Sequence, residues 1–222
     1  MPVYLLNKSP LFPPASEAEP DGLLAIGGDF SARRLLNAYA SGIFPWFEDG
    51  TDIYWFSPDP RLVLFPEKLK VTASLSRIIK QERFDVRFDH DFEAVMEQCA
   101  KVPRKHEEGT WISKRFITGY TRLHKLGYAH SAEAYREGIL AGGLYGVSIG
   151  KAFFGESMFY LEPDASKVAF VALVKRLREA GFLFIDCQVE TEHLRRFGAE
   201  PISRERYLEW LKEAIIRSPA FS

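Results

Sequence analysis

The chain has few of the features that mark secreted or membrane proteins. Its 222 residues include two cysteines, Cys99 and Cys187, which is too few for a disulfide framework and typical of a reducing compartment. The first twenty residues carry prolines and acidic side chains where a leader would be apolar. The longest apolar run, residues 168–174, is too short to span a bilayer. We therefore expect a soluble protein that acts in the cytoplasm.

Common catalytic and cofactor motifs are also missing. No Gly-x-Ser-x-Gly elbow occurs, and the glycine pairs at 27–28 and 142–143 match neither a dinucleotide-binding loop nor a phosphate-binding loop. None of the five histidines is spaced from a cysteine or an acidic residue as metal ligands are. We therefore expect no metal and no cofactor.

The net charge of −1 conceals a marked asymmetry along the chain. Residues 1–60 hold three basic and eight acidic side chains, a net charge of −5, whereas residues 101–125 hold seven basic and two acidic ones, a net charge of +5. A basic segment on a nearly neutral protein is a candidate contact for a nucleic-acid backbone. The alternative is an ordinary solvated helix face.

The pattern of apolar residues predicts an α+β fold. Helices are predicted over residues 31–41, 72–82, 91–99, 113–126, 166–180 and 203–216. Ser31, Asp91 and Ser113 are the expected N-caps of three of these helices. Strands are predicted over residues 53–56, 62–64, 84–88, 130–135, 139–148, 152–160 and 182–189. Residues 84–88 alternate apolar and charged side chains, which is typical of an edge strand. The three central strands are joined by tight Gly-containing turns, which indicates an antiparallel meander. This order resembles the acyltransferase fold of the acetyl-CoA-dependent N-acetyltransferases.

Two prolines, Pro58 and Pro60, favour a domain boundary near residue 60. We expect a small N-terminal α/β domain over residues 1–60 and a larger acyltransferase-like domain with flanking helices over residues 61–222. Within the first domain we expect irregular chain through Asp21 and an aromatic turn over residues 42–47.

An apolar strand near the C-terminal end carries the first candidate chemistry. Asp186 and Gln188 lie two residues apart, so they are expected on one face of that strand. An unpaired buried carboxylate is costly. Asp186 therefore either has a structural partner or faces a cleft.

The second candidate is Glu156, which follows Gly155 within an aromatic stretch. The glycine allows a β-bulge or close approach of a ligand. A structural ion pair is the alternative for the acid. If the two strands share a sheet, Glu156, Asp186 and Gln188 converge, and they could orient an amine nucleophile.

Six sequence blocks resemble the leucyl/phenylalanyl-tRNA–protein transferases. They are DGLLAIGGD (21–29), GIFPWF (42–47), WFSPDPR (55–61), GTWI (109–112), GESMF (155–159) and IDCQ (185–188). The blocks follow the order of the family and extend over residues 20–210. The resemblance implies transfer of Leu or Phe, and more weakly Met, from aminoacyl-tRNA to proteins with N-terminal Arg or Lys. Such transfer marks the acceptor for N-end-rule protein degradation.

The resemblance also implies roles for individual residues. Asp186 and Gln188 match a relay that activates the acceptor α-amino group, and Glu156 matches the acid that orients it. Trp46 and Trp111 fall in blocks that resemble the site of the terminal adenosine. The pocket for the donor side chain would use Leu144, Phe153, Met158, Phe170 and Ile185. Gly155 is a further expected substrate-binding residue. Some members have Met at the place of Leu144 and Leu at that of Phe170, so the shape of the pocket differs. We expect a monomer.

Two other functions compete with this interpretation. An acetyl-CoA-dependent N-acetyltransferase needs a glycine-rich loop before its long helix, whereas residues 161–167 contain no glycine and two acids. A non-catalytic RNA-binding module would use the basic segment and exposed tryptophans, but it gives no purpose to Glu156, Asp186 and Gln188.

Overall fold

The computed structural model describes residues 3–46, 51–101 and 114–216. Within these ranges the chain forms seven α-helices and eleven β-strands. The helices are α1 (Ala32–Ala40), α2 (Ala73–Lys80), α3 (Phe92–Lys101), α4 (Lys114–Lys125), α5 (Ala165–Glu179), α6 (Glu192–Arg196) and α7 (Arg204–Ile216). The strands are β1 (Tyr4–Leu6), β2 (Leu23–Gly27), β3 (Phe44–Trp46), β4 (Tyr54–Phe56), β5 (Arg61–Leu64), β6 (Asp85–Phe88), β7 (Ala129–Arg136), β8 (Ile139–Ile149), β9 (Ala152–Tyr160), β10 (Phe184–Gln188) and β11 (Glu200–Ile202).

Side-chain caps fix the starts of α1 and α3. The Ser31 hydroxyl accepts a hydrogen bond from the Arg34 amide at 3.4 Å, and the Asp91 carboxylate accepts one from the Ala94 amide at 3.2 Å. Each cap satisfies one of the backbone amides that a helix leaves without a partner. The predicted caps at these two positions are confirmed. The predicted cap at Ser113 lies outside the described residues.

A four-stranded sheet occupies the N-terminal part in the order β1-β2-β4-β3. The expectation of irregular chain before Asp21 is wrong at β1, which pairs in parallel with β2 over Tyr4↔Ala25 to Leu6↔Gly27. The aromatic turn predicted over residues 42–47 contains strand β3, which pairs antiparallel with β4. Pro45 is compatible with β3 because β3 is an edge strand, where a missing amide costs no ladder bond.

A seven-stranded sheet forms the larger part in the order β11-β5-β10-β9-β8-β7-β6. The predicted meander of β7, β8 and β9 is confirmed, and its neighbouring strands are antiparallel. Strand β6 lies at the sheet edge, as predicted. Strand β10 pairs in parallel with β9 and antiparallel with β5. This pairing brings the two strands with candidate chemistry next to each other, and the α+β class is confirmed.

Both faces of the large sheet are covered. On one face α5 and α2 contribute an apolar cluster with Leu144 and Ile185. On the other face α1, α3, α4 and α7 pack on Tyr145 and Phe154. This second cluster also includes Trp55 of the small sheet, so one core joins the two sheets. The domain division near residue 60 stays a prediction. Among the residues that the structure describes, no helix is both long and apolar enough to cross a bilayer.

Candidate active site

A β-bulge on strand β9 contains the first candidate acid, Glu156. In the ladder with β8, Tyr145 pairs with Ser157 and Gly146 pairs with Gly155, so Glu156 is the extra residue on β9. Bulges redirect a side chain relative to the regular pleat. The Glu156 carboxyl group is enclosed by neighbouring side chains, while the residue keeps part of its surface open to a cavity.

A second bulge lies on strand β10, between Asp186 and Gln188. These residues pair with Val63 and Leu62, which are consecutive on β5, and Gln188 has a backbone φ of +62°. A non-glycine residue with positive φ is strained and is kept only where the surroundings hold it. Gln188 lines the cavity, whereas Asp186 does not. The prediction that Asp186 and Gln188 share one face stays a prediction.

Asp186 is fully buried and has a structural partner on each oxygen. Its Oδ1 accepts hydrogen bonds from Arg61 Nε at 2.8 Å and from the main-chain N–H of Gln188 at 2.9 Å. Its Oδ2 accepts from Arg61 Nη2 at 2.6 Å and from the Tyr207 hydroxyl at 2.8 Å. A carboxylate with four donors has little capacity left to take up a proton. The sequence left two alternatives for Asp186, a structural partner or a position facing a cleft, and the structure shows the first.

Arg61 is the cation that balances this buried acid. Its side chain is 0% exposed and lies between the rings of Phe44 and Tyr207, at 4.7 Å and 4.6 Å from their centroids. Burial alone would lower the pKa of Arg61, but the Asp186 carboxylate raises it, so Arg61 stays charged. The pair fixes β10 to β5 beside the second bulge.

Glu156 and Gln188 meet at the mouth of the cavity. Gln188 Nε2 donates a hydrogen bond to Glu156 Oε1 at 2.8 Å, and the Tyr120 hydroxyl donates to Glu156 Oε2 at 3.1 Å. The amide hydrogens of Gln188 point to the acid, which leaves Gln188 Oε1 as the acceptor for a further partner. The predicted convergence is therefore confirmed for Glu156 and Gln188.

Burial raises the pKa of Glu156 to about 8, and the nearby Asp186 charge acts in the same direction. Hydrogen bonds from Tyr39, Tyr120 and Gln188 lower it and limit the rise. A carboxyl group with this pKa exchanges its proton near neutral pH. Such a group suits chemistry at an amine, whose own pKa falls in the same range.

The cavity beside Gln188 has a volume of about 320 Å³ and apolar walls. Four of the five predicted donor-pocket residues line it: Leu144, Met158, Phe170 and Ile185. Gly155, the other expected substrate-binding residue beside them, lines it as well. Phe153 does not line it, because its side chain is buried in the core against Gly146. The size and the few polar groups at the mouth are typical of a small-ligand site.

A second cavity of about 460 Å³ adjoins the first through Trp46 and Val189. Its other walls include the aromatic rings of Phe44, Tyr54 and Phe56. Flat aromatic walls offer stacking surfaces for a nucleobase. Trp46 therefore lies between the two cavities, whereas Trp111 lies outside the described residues.

The basic segment is described only in part. Lys114, Arg115, Arg122 and Lys125 on α4 and Lys101 on α3 are exposed, while Arg104 and Lys105 lie outside the described residues. This exposure is compatible both with a contact to a nucleic-acid backbone and with an ordinary solvated helix face.

Sequence reasoning missed several residues of the site. Arg61 is the first residue of an apolar strand, where a charged side chain needs a partner. This position could have predicted an acidic partner such as Asp186. The hydroxyl groups of Tyr39, Tyr120 and Tyr207 gave no such signal, because each lies on a helix face that packing alone explains. Helix α6, which was also missed, supplies part of the cavity wall.

Comparison with known proteins defines the class and then the family. The class is that of the aminoacyltransferases, because two family models of that class match in succession: the leucyl/phenylalanyl-tRNA protein transferase N-terminal domain over residues 28–59 and leucyl/phenylalanyl-tRNA protein transferase over residues 63–212. The chain belongs to the leucyl/phenylalanyl-tRNA protein transferase family.

Relatives of this name align along almost the whole chain. The transferase of Syntrophobacter fumaroxidans is 55% identical over 215 residues, which cover 97% of this chain and 92% of the relative. The one of Myxococcus xanthus is 54% identical over 217 residues, which cover 97% and 93%. Among solved structures, a GCN5-related N-acetyltransferase from Kribbella flavida is 10% identical with a TM-score of 0.38, covering 76% of this chain and 60% of that one.

Proposed function

We propose that the protein transfers Leu or Phe from aminoacyl-tRNA to the α-amino group of proteins that begin with Arg or Lys, in the cytoplasm. The observation that carries this proposal is the Glu156–Gln188 pair at the mouth of an apolar cavity. The pair is suited to an amine, and the cavity is suited to an uncharged side chain. N-end-rule degradation of the acceptor is part of the proposal.

The donor side chain would enter the 320 Å³ cavity between Met158 and Phe170. An aliphatic or aromatic side chain gains about 1.5–3 kcal/mol from full burial. A charged side chain would lose its hydration without gaining a partner, because the walls around it are apolar. The cavity therefore selects for large apolar residues such as Leu and Phe.

The reaction joins the acceptor nitrogen to the ester carbonyl of the aminoacyl-tRNA. A C–N bond forms, the C–O bond to the tRNA ribose breaks, and the proton lost by the amine ends on the released hydroxyl group. The ester is already activated, so orientation of the amine supplies much of the acceleration. Gln188 Oε1 accepts a hydrogen bond from the amine, which directs its lone pair at the carbonyl.

Asp186 acts in this scheme as a positioning residue. It does not line the cavity, but its Oδ1 accepts a hydrogen bond from the main-chain N–H of Gln188 at 2.9 Å. The Arg61 and Tyr207 donors fix Asp186 in turn. Glu156, with a pKa of about 8, is the group that exchanges a proton near the amine.

The terminal adenosine of the tRNA would occupy the aromatic cavity beside Trp46. This cavity adjoins the donor cavity, as the 3′ end of an aminoacyl-tRNA requires. Trp111 and the basic residues on α4 would serve the same tRNA, since contacts to phosphates position a nucleic acid without reading its sequence. We propose that the protein works as a monomer.

Acetyl-CoA is the less favoured donor. Asp164 stands at the N-cap of α5 and pairs with Lys167 at 2.7 Å. A carboxylate at a helix N-terminus occupies the place where a pyrophosphate would bind.

The test is a transfer assay with radiolabelled Leu-tRNA or Phe-tRNA. The acceptor is a peptide that begins with Arg, and the control is the same peptide beginning with Asp. We expect label on the Arg peptide alone. Retained tRNA binding without transfer would favour an RNA-binding module, and transfer to both peptides would contradict the acceptor rule.

A further inference from the structure

Two buried tyrosines lie behind the carboxyl group of Glu156. Tyr39 comes from α1 and Tyr120 from α4, and both are 0% exposed. Their hydroxyl groups hydrogen-bond to each other, and the Tyr120 hydroxyl also donates to Glu156 Oε2 at 3.1 Å. The pair thus connects the N-terminal sheet region to strand β9.

Packing does not account for these hydroxyl groups. The Tyr39 ring packs on Phe154 with centroids 5.1 Å apart, and the Tyr120 ring stacks on Phe116 at 4.2 Å. Phenylalanine would make the same ring contacts without the cost of burying a hydroxyl group. The hydroxyl groups are therefore tied to the acid that Tyr120 hydrogen-bonds, the Glu156 carboxyl.

A hydroxyl pair can adapt to both protonation states of an acid. Each tyrosine hydroxyl donates one hydrogen bond and can accept others. When Glu156 is ionised, Tyr120 donates to it and accepts from Tyr39. When Glu156 is protonated, the order can reverse, so that Glu156 donates to Tyr120. The bond from Gln188 Nε2 to the other oxygen is kept in both states.

We propose that Tyr39 and Tyr120 are positioning residues of the transfer reaction, which hold the Glu156 carboxyl against Gln188 while that carboxyl gains or loses a proton. This inference rests on the proposed function. Gln188 would keep its carboxamide oxygen toward the amine throughout the reaction, because Glu156 stays hydrogen-bonded to the carboxamide nitrogen.

The electrostatics around Glu156 agree with this geometry. The titratable groups that face it are Tyr39, Tyr120 and, one strand away, Asp186, and Tyr145 acts on Tyr120. Burial raises the pKa of both Tyr39 and Tyr120, and the Glu156 charge raises it further, so both phenols stay protonated. Their hydrogen bonds in turn lower the pKa of Glu156.

The experiment compares Tyr120→Phe and Tyr39→Phe with Tyr4→Phe. Tyr4 is the matched control, because its hydroxyl donates to another carboxylate, Glu17, and neither residue lines the cavity. Transfer to the Arg peptide gives kcat and KM for each variant, and urea unfolding checks the fold. We expect Tyr120→Phe to lower kcat about tenfold or more at nearly unchanged KM for the aminoacyl-tRNA, and Tyr4→Phe to match the wild type.

A second readout is independent of the reaction. The Glu156 carboxyl carbon is titrated by carbon NMR and assigned by its absence from Glu156→Gln. We expect Tyr120→Phe to raise the pKa of Glu156 above its wild-type value, since a donor to the carboxylate is lost. In a Glu156→Gln background, Tyr120→Phe should lower kcat less than twofold, because the group that it positions is gone.

Three results would overturn the inference: unchanged kcat in both tyrosine variants, an unchanged pKa of Glu156 in Tyr120→Phe, or equal effects of Tyr120→Phe with and without Glu156. The last outcome would indicate a structural role alone. A wild type that transfers no label refutes the proposed function instead, and the NMR titration still tests the hydroxyl pair.

Discussion

The buried Arg61–Asp186 pair permits a quantitative prediction about stability. We consider Arg61→Met, which keeps an unbranched apolar stem but removes the guanidinium group. The substitution deletes both hydrogen bonds to Asp186, at 2.8 Å and 2.6 Å, and one to the Gly42 carbonyl at 3.2 Å. It leaves a fully buried carboxylate with no cation.

The expected cost is about 3–5 kcal/mol in the free energy of unfolding, as for other buried pairs that lose one partner. The cost should depend on pH. Without a cation, burial favours the neutral form of a carboxyl group in the folded variant. The folded variant then binds more protons than the unfolded chain, so its stability falls as pH rises through this window. The difference from the wild type should therefore be smaller at pH 5 than at pH 8.

The companion variant Arg61→Met/Asp186→Asn removes the charge as well. The side-chain oxygen of the asparagine can still accept a hydrogen bond from the main-chain N–H of Gln188. The side-chain NH₂ of the asparagine can donate one to the Tyr207 hydroxyl. We expect this double variant to be more stable than Arg61→Met by about 1 kcal/mol or more.

Urea unfolding, followed by tryptophan fluorescence at pH 5 and pH 8, measures all three proteins. A loss below about 1 kcal/mol in Arg61→Met would refute the reasoning from burial. The same holds if the double variant is less stable than Arg61→Met at pH 8.

Three further predictions concern the cavity. An added Cβ at Gly155 meets only the Asp186 carbonyl, at 3.6 Å, whereas one at Gly146 meets the Phe154 carbonyl at 2.3 Å. Gly155→Ala should therefore fold like the wild type with a higher KM for the donor, while Gly146→Ala should lower the unfolding midpoint clearly; equal midpoints would contradict this. Gln188→Ala should lower kcat about 100-fold in the transfer assay with intact tRNA binding, and full activity would remove Gln188 from the mechanism. Because the pKa of Glu156 is raised to about 8, the folded wild type loses stability between about pH 4.5 and 8. Glu156→Gln should gain about 1 kcal/mol relative to the wild type per pH unit in that window; a pH-independent difference between the two proteins would argue against the raised pKa.

Local patterns predicted much of the larger sheet region. The alternation from residues 130 to 160 and its Gly-containing turns specified the meander of β7, β8 and β9, because turn chemistry and pleat are properties of neighbouring residues. The helices that Ser31 and Asp91 cap were predictable for the same reason. The strand β1 was not, since three residues in a proline-rich segment become a strand only by pairing with β2, about twenty residues away.

The candidate site divides in a similar way. The types of its residues follow from the sequence: a carboxyl group within an aromatic stretch, an acid and an amide at the end of an apolar strand, and apolar residues for a pocket. The resemblance of six short blocks to one family was enough to predict the activity class. These features depend on which residues are present and on their spacing.

Only the tertiary structure decided which of these groups meet. The bulges at Glu156 and beside Gln188 bring those two side chains together at the cavity, while Arg61 and Tyr207 hold Asp186 in the core. A bulge depends on the register between two strands, and Arg61 and Asp186 are 125 residues apart in the chain. Sequence spacing determined the candidate groups, whereas strand pairing and long-range packing assigned each one its partner.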